Sequence, residues 1–149
     1  MDLTSKKVIK NLLKKYGARP SKGLGQNFLI NKAVIKKIIK EARLQPKDIV
    51  LEIGAGIGNL TLELVKRAKK VIAVEKDPKM VEILKETLKD FQNIEIVKAD
   101  ILKIKPTLYT LNAKPYKVVA NLPFYLSAPV IRKFLEAKFP PELMLLVVQ

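Results

Sequence analysis

The chain has 149 residues, 48% of them hydrophobic, and a net charge of +15 from 29 Lys+Arg against 14 Asp+Glu. That length suits one domain with a real core, and that composition argues against disorder. The absence of cysteine and histidine excludes disulfides, Cys or His nucleophiles, a histidine general base and nearly every common zinc site; no metal is expected.

The charge is unevenly placed. Residues 1–48 hold 13 basic and 3 acidic side chains, against 16 and 11 in residues 49–149. A basic end of this kind suggests a phosphate backbone as partner. An anionic membrane surface and plain lysine-rich solvated faces, as thermophiles carry them, are the competing readings. No apolar run reaches spanning length and the charged amino terminus lacks a signal h-region, so a cytoplasmic chain with no membrane contact is expected.

Residues 3–15 read as a helix. Thr4 or Ser5 can cap it, Val8, Ile9, Leu12 and Leu13 form an apolar stripe, and Gly17 stops it. Ala18–Leu29 reads as an ordered loop. Within it Arg19 and Lys22 can grip phosphates, Gln26 and Asn27 offer amides, and Phe28 offers a ring or simply anchors the loop with Leu29. Asn31 can cap a second helix running to about Arg43.

Ile49–Ile53 reads as the first buried strand. It enters a turn with Gly54, Gly56 and Gly58 at alternate positions, then a helix whose leucines cover much of its surface. A turn of this kind at the end of a first strand is where doubly wound folds bind nucleotides. G-x-G-x-G after Leu51-Glu52 resembles motif I of the S-adenosylmethionine-dependent methyltransferases. A strand-to-helix turn with no ligand is the bland alternative.

Val71–Glu75 reads as the second strand, covered on both faces. Glu75 ends it, 21 positions beyond Gly54, where a carboxylate can accept both ribose hydroxyls of an adenosine cofactor; the alternative is a surface carboxylate beside Lys76. Asp77 and Pro78 open a helix to about Lys89. Ile94–Lys98 is the third strand, followed by Asp100, which can accept from an adenine amino group or merely occupy a turn. Residues 101–115 read as irregular.

Tyr116–Ala120 is the fourth strand and delivers Asn121-Leu-Pro-Phe124 to the same sheet edge. An adenine amino nitrogen is a poor nucleophile because its lone pair is delocalised into the ring. It needs acceptors for both N–H groups: the Asn121 side-chain oxygen is one, the Leu122 carbonyl the other. Pro123 biases Leu122 toward extended backbone and brings no competing donor. Phe124 offers a stacking face; an X-Pro turn with a core phenylalanine is the alternative. Ser127 is expected to cap a further helix with Pro129 in its first turn, and Leu143–Val148 reads as a fifth buried strand. A chain that stops on such a strand reads as part of a longer protein.

Gly25-Gln-Asn-Phe-Leu29, Glu52-Ile-Gly-Ala-Gly-Ile-Gly58, Glu75, Asp100 and Asn121-Leu-Pro-Phe124, in this order and spacing, resemble the KsgA/RsmA family of small-subunit ribosomal RNA adenine dimethyltransferases. The resemblance covers the chain from about residue 16. It implies a Rossmann-like α/β fold with a parallel sheet in the order 3-2-1-4-5, cut after its fifth strand. Residues 1–48 would be basic helices and a loop packed on a core of residues 49–149. It implies transfer of methyl groups from S-adenosylmethionine to N6 of two adjacent adenines near the 3′ end of the small-subunit RNA, by a monomer. The implied cofactor pocket comprises Asn27, Leu29, Gly54, Glu75, Asp100 and Asn121, with Gln26, Glu52, Gly56, Gly58, Lys76 and Ile101 beside them. The implied catalytic group is Asn121, Leu122, Pro123 and Phe124.

The Erm type, which methylates large-subunit RNA, is the runner-up; Asn121-Leu-Pro and Leu24-Gly-Gln-Asn27 favour the small-subunit type. The helical carboxyl-terminal part of such enzymes is missing, which leaves cofactor binding expected and activity of this chain alone open. Two other classes are a non-catalytic RNA-binding assembly role and a dinucleotide oxidoreductase. The latter leaves Asn121-Leu-Pro-Phe124 and the basic end unexplained.

Overall fold

The computed structural model describes residues 1–19, 31–105 and 115–148. The five described strands form one parallel sheet: β1 (Ile49–Ile53), β2 (Lys70–Glu75), β3 (Ile94–Lys98), β4 (Lys117–Asn121) and β5 (Leu143–Val147), in the order β3-β2-β1-β4-β5. This is the expected order. The central β1 is buried throughout, and the edge strands β3 and β5 only in part, so the apolar content of each strand follows its place in the sheet.

Strand alternation divides the core. Val50, Val71, Ala73 and Val119 face the layer of α2 (Lys32–Ala42), α3 (Thr61–Val65) and α4 (Pro78–Thr87). Leu51, Ile53, Val74 and Ala120 face the other layer, where Val130 and Phe134 of α5 (Ser127–Leu135) are fully buried. Helix α1 (Lys6–Lys15) lies outside the first layer, with Ile9 and Leu12 packed on Ile57, Met80 and Ile83.

Several elements end where local chemistry says they should. Ser5 caps α1 and Asn31 caps α2 through side-chain oxygens. Asp77 caps α4 with Pro78 as its first residue. Helix α4 stops at Thr87, two residues before the expected end. Helix α3 is five residues long, shorter than its leucine spread suggests: the glycine turn delays its start, and the chain must reach Lys70 to enter β2. Strand β4 begins one residue late and includes Asn121.

Ser127 is not a cap. The 3-10 turn Phe124–Leu126 runs directly into α5, so Ser127 already has helical angles, and its buried hydroxyl has no hydrogen-bond partner among the described residues. The Pro123 carbonyl accepts the Leu126 N–H at 3.0 Å and starts the turn earlier than a serine signal implies.

One support of the sheet carries no signal in the sequence. Lys117, the first residue of β4, is buried, and its ammonium group donates to the Ala42 and Arg43 carbonyls and pairs with Asp48 at 3.0 Å. It closes the carboxyl end of α2, where Arg43 is left-handed with φ 49°.

Candidate cofactor and target site

The register places the expected groups together. Ile53 of β1 is level with Val74 of β2 and Ala120 of β4. One residue further on stand Gly54, Glu75 and Asn121, side by side at the carboxyl edge of the sheet. Ligands of open α/β sheets bind at this edge, where the strand order reverses. In this sheet the reversal lies between β1 and β4.

An open cleft of about 360 Å³ occupies that edge. Its floor is Ile53, Gly54, Gly56, Val74 and Glu75. Lys76, Asp100 and Ile101 lie along one side, and Asn121, Leu122 and Pro123 along the other.

Sterics explain the glycine turn. Gly54 has φ +72°, and its N–H donates to the Val74 carbonyl at 2.8 Å, folding the chain over the end of β2. A Cβ there would sit 3.8 Å from the Asn121 carbonyl, facing the cleft. Gly58 has φ +98° and does not line the cleft. A Cβ on it would meet Leu84 and Thr87 of α4 at 3.1 Å, so this glycine brings α4 against the turn.

Glu75 is 8% exposed. Its carboxylate accepts the Gly56 N–H at 2.7 Å and the Asp77 N–H at 2.9 Å. Burial pushes its pKa up, against the pull of the backbone N–H groups of Asp77, Gly56 and Lys76. The carboxylate's lone pairs beyond those held by the backbone are available to a ligand in the cleft.

Glu52 stands apart from the cleft. Strand alternation turns it into the layer beneath the turn, where it is 2% exposed and accepts the Thr61 hydroxyl at 2.5 Å. Burial drives its carboxyl up to about 8; the Thr61 bond opposes the rise and the nearby Glu75 charge adds to it. Glu52 ties β1 to the start of α3 below the groups that line the cleft.

Asp100 turns the chain after β3: its carboxylate accepts the Leu102 N–H at 3.0 Å and lies 3.6 Å from the Lys76 ammonium. Lys133 of α5 holds this turn from behind, donating to the Ile101 carbonyl at 2.7 Å and the Ile104 carbonyl at 2.6 Å. Burial lowers the Lys133 pKa, and the Asp100 charge opposes that. The sequence carries no signal for Lys133, because its partners are backbone carbonyls about thirty residues away.

Leu122 is buried, its N–H donating to the Val147 carbonyl at 3.2 Å. Phe124 is 72% exposed and is not in the cleft wall. Tyr125, Leu126 and Pro129 continue that wall, and nothing in the sequence pattern marks them for it. Gln26, Asn27 and Leu29 lie outside the described residues. Among the described residues no acidic cluster could hold a metal, and no helix is long and apolar enough to cross a membrane.

Comparison with known proteins agrees with this geometry. A family model described as "Ribosomal RNA adenine dimethylase" matches residues 17–149. "Ribosomal RNA small subunit methyltransferase A" of Dehalococcoides mccartyi (strain 195) is 49% identical over 140 residues, 94% of this chain and 48% of that protein. Its counterpart in Alkaliphilus metalliredigens is 43% identical over 99% of this chain and 52% of that protein. The chain thus spans about half the length of these curated relatives.

Among solved structures, 23S rRNA methyltransferase ErmE is similar with TM-score 0.70 and 35% identity, over 80% of this chain and 48% of that one. A dimethyladenosine transferase from Plasmodium falciparum is similar with TM-score 0.67 and 32% identity, over 80% and 41%. On its sequence, its strand order and its glycine-turn cleft, this chain belongs to the ribosomal RNA adenine dimethylase family.

Proposed function

We propose that the chain is the cofactor- and target-binding part of an S-adenosylmethionine-dependent enzyme that dimethylates N6 of adjacent adenines in small-subunit ribosomal RNA. One observation carries the reading: Gly54, Glu75 and Asn121 share one cleft edge. The small-subunit assignment rests on the names of the curated relatives, and a ribosomal RNA substrate implies work in the cytoplasm.

The residues fit the cofactor. Glu75 is a buried carboxylate with lone pairs to spare for ribose hydroxyls, and the Gly54–Gly56 turn presents bare backbone to the cleft. Asp100 and Ile101 flank the same space with an acceptor and an apolar surface suited to an adenine ring. When bound, S-adenosylmethionine supplies an electrophilic methyl group.

The chain's own residues prepare the acceptor. In the first transfer the Asn121 side-chain oxygen and the Leu122 carbonyl hold the two N–H groups of the target amine; in the second, the singly methylated amine has one N–H left for one of these acceptors. Holding the N–H groups in this way favours a tetrahedral nitrogen whose lone pair is localised. No histidine is needed for this, because the product's excess proton can leave to water once the amine is alkylated. The exposed lysines of α1, among them Lys6, Lys10 and Lys14, offer charge to the RNA backbone.

Calorimetric titration of the chain with S-adenosylmethionine, with NAD as control, tests the cofactor. Saturable binding of the first alone is expected; binding of NAD alone would overturn the reading. Asn121→Ala separates an enzyme from an RNA-binding assembly factor: transfer should vanish while RNA affinity changes little.

The likeness to ErmE keeps a large-subunit substrate as the second reading. Methylation of 23S but not 16S RNA by protein of full natural length would establish it.

A further inference from the structure

The aromatic pair Phe124-Tyr125 sits where the cleft wall meets solvent. The 3-10 turn Phe124–Leu126 passes into α5 without a cap, so residues 124–135 follow one helical phase. In that phase 125, 126 and 129 share a side, and 124, 128 and 131 share another. Tyr125, Leu126 and Pro129 do line the cleft, whereas Phe124 and Ile131 are 72% and 37% exposed and lie outside its wall. The two rings meet edge to face, with centroids 5.7 Å apart and planes at 86°. A planar base stacked parallel to one ring therefore stands at a right angle to the other. Tyr125 is 42% exposed, so its ring is open to a ligand and continues the wall begun by Asn121, Leu122 and Pro123.

We propose that Tyr125 is a specificity-determining residue for the target base: its ring is the cleft-side half of a two-ring corner, with Phe124 the outer half. The proposal rests on the adenine reading of the cleft. Tyr125 stacks on or abuts the extruded base and sets how deep its amino group sits beside Asn121. Stacking needs the ring and not the hydroxyl, so phenylalanine at 125 is a functional replacement and alanine is not.

The test uses protein of full natural length, saturating S-adenosylmethionine, and an RNA hairpin with 2-aminopurine beside the acceptor adenine. Binding of the unsubstituted chain changes the probe's emission as the acceptor adenine leaves the stack. Tyr125→Ala should lose most of that change and weaken base capture about 5- to 150-fold, the range for removing one base–aromatic stack. Tyr125→Phe should retain it, and both variants should bind S-adenosylmethionine as the unsubstituted chain does. Full emission change in Tyr125→Ala overturns the proposal. Loss in Tyr125→Phe overturns it too, since the hydroxyl would then matter. A parallel fall in S-adenosylmethionine affinity makes Tyr125 a cofactor wall instead. No emission change with the unsubstituted chain overturns the adenine reading itself, and this proposal with it.

Discussion

The Glu75 carboxylate, at the end of β2, accepts the Gly56 backbone N–H at 2.7 Å across the turn that follows β1. One bond thereby ties the glycine turn after β1 to the carboxylate proposed above as the ribose acceptor. Glu75→Gln places an amide where two backbone N–H groups already point, so one donor faces another. We expect S-adenosylmethionine affinity to fall about 10- to 150-fold, the loss for a charge-assisted bond of roughly 1.5–3 kcal/mol. Calorimetry reads the affinity, and circular dichroism should show the fold intact.

Glu52 gives the fold a pH dependence of definite sign. Its carboxyl titrates near 8 in the folded chain, against an ordinary value of 4.5, so between these values the folded state binds the proton more tightly than the unfolded one. The stability this contributes is present below the lower value, is lost as pH rises through the window, and levels off above about 8. The size is of the order of a few kcal/mol. Glu52→Gln keeps an oxygen for the Thr61 hydroxyl and removes the titration. Urea midpoints measured between about pH 4.5 and 8.5, the span of that window, should therefore fall with pH in the unsubstituted chain and flatten in the variant; equal slopes would assign the trend to other groups.

Gly58→Ala tests the turn from below. The new methyl meets Leu84 and Thr87 at 3.1 Å, at a φ of +98° that side chains rarely adopt. Strain and overpacking together predict a loss of about 2–4 kcal/mol in denaturant unfolding. At Gly54 the nearest atom to a Cβ is 3.8 Å away, so Gly54→Ala should cost less stability and more cofactor affinity.

Lys117→Met leaves Asp48 buried without its cation and two helix-end carbonyls without a donor. Breaking a buried pair from one side costs about 3–5 kcal/mol. The double variant Lys117→Met with Asp48→Asn should recover much of that deficit, because the stranded charge is gone. Thermal unfolding of both variants makes the comparison.

Reversing charge at Lys6, Lys10 and Lys14 on α1 should weaken RNA binding and flatten the plot of log affinity against log salt. The slope should fall by about one unit for each phosphate that the chain no longer neutralises. An unchanged slope would make these lysines a solvated face only.

Much of this was legible in the chain itself. Apolar runs marked β1 and β2, Asp77-Pro78 marked the start of α4, and the glycine triplet marked the turn, because each signal is local: side-chain burial, a cap, a positive φ. The spacing of Glu75, Asp100 and Asn121-Leu-Pro-Phe124 from those glycines named the candidate site before any contact was known. The remaining features depend on partners far along the chain. Glu52 is the same residue type as Glu75 and lies in the glycine motif, yet alternation on β1 turns it toward Thr61 and away from the cleft. Lys117 and Lys133 look like surface lysines until their carbonyl partners in distant segments are in place. The phase of the turn after Pro123 put Tyr125 in the wall and Phe124 in solvent. A sequence states which groups are available and at what spacing; the face each one presents is set by the packing of elements that are not its neighbours.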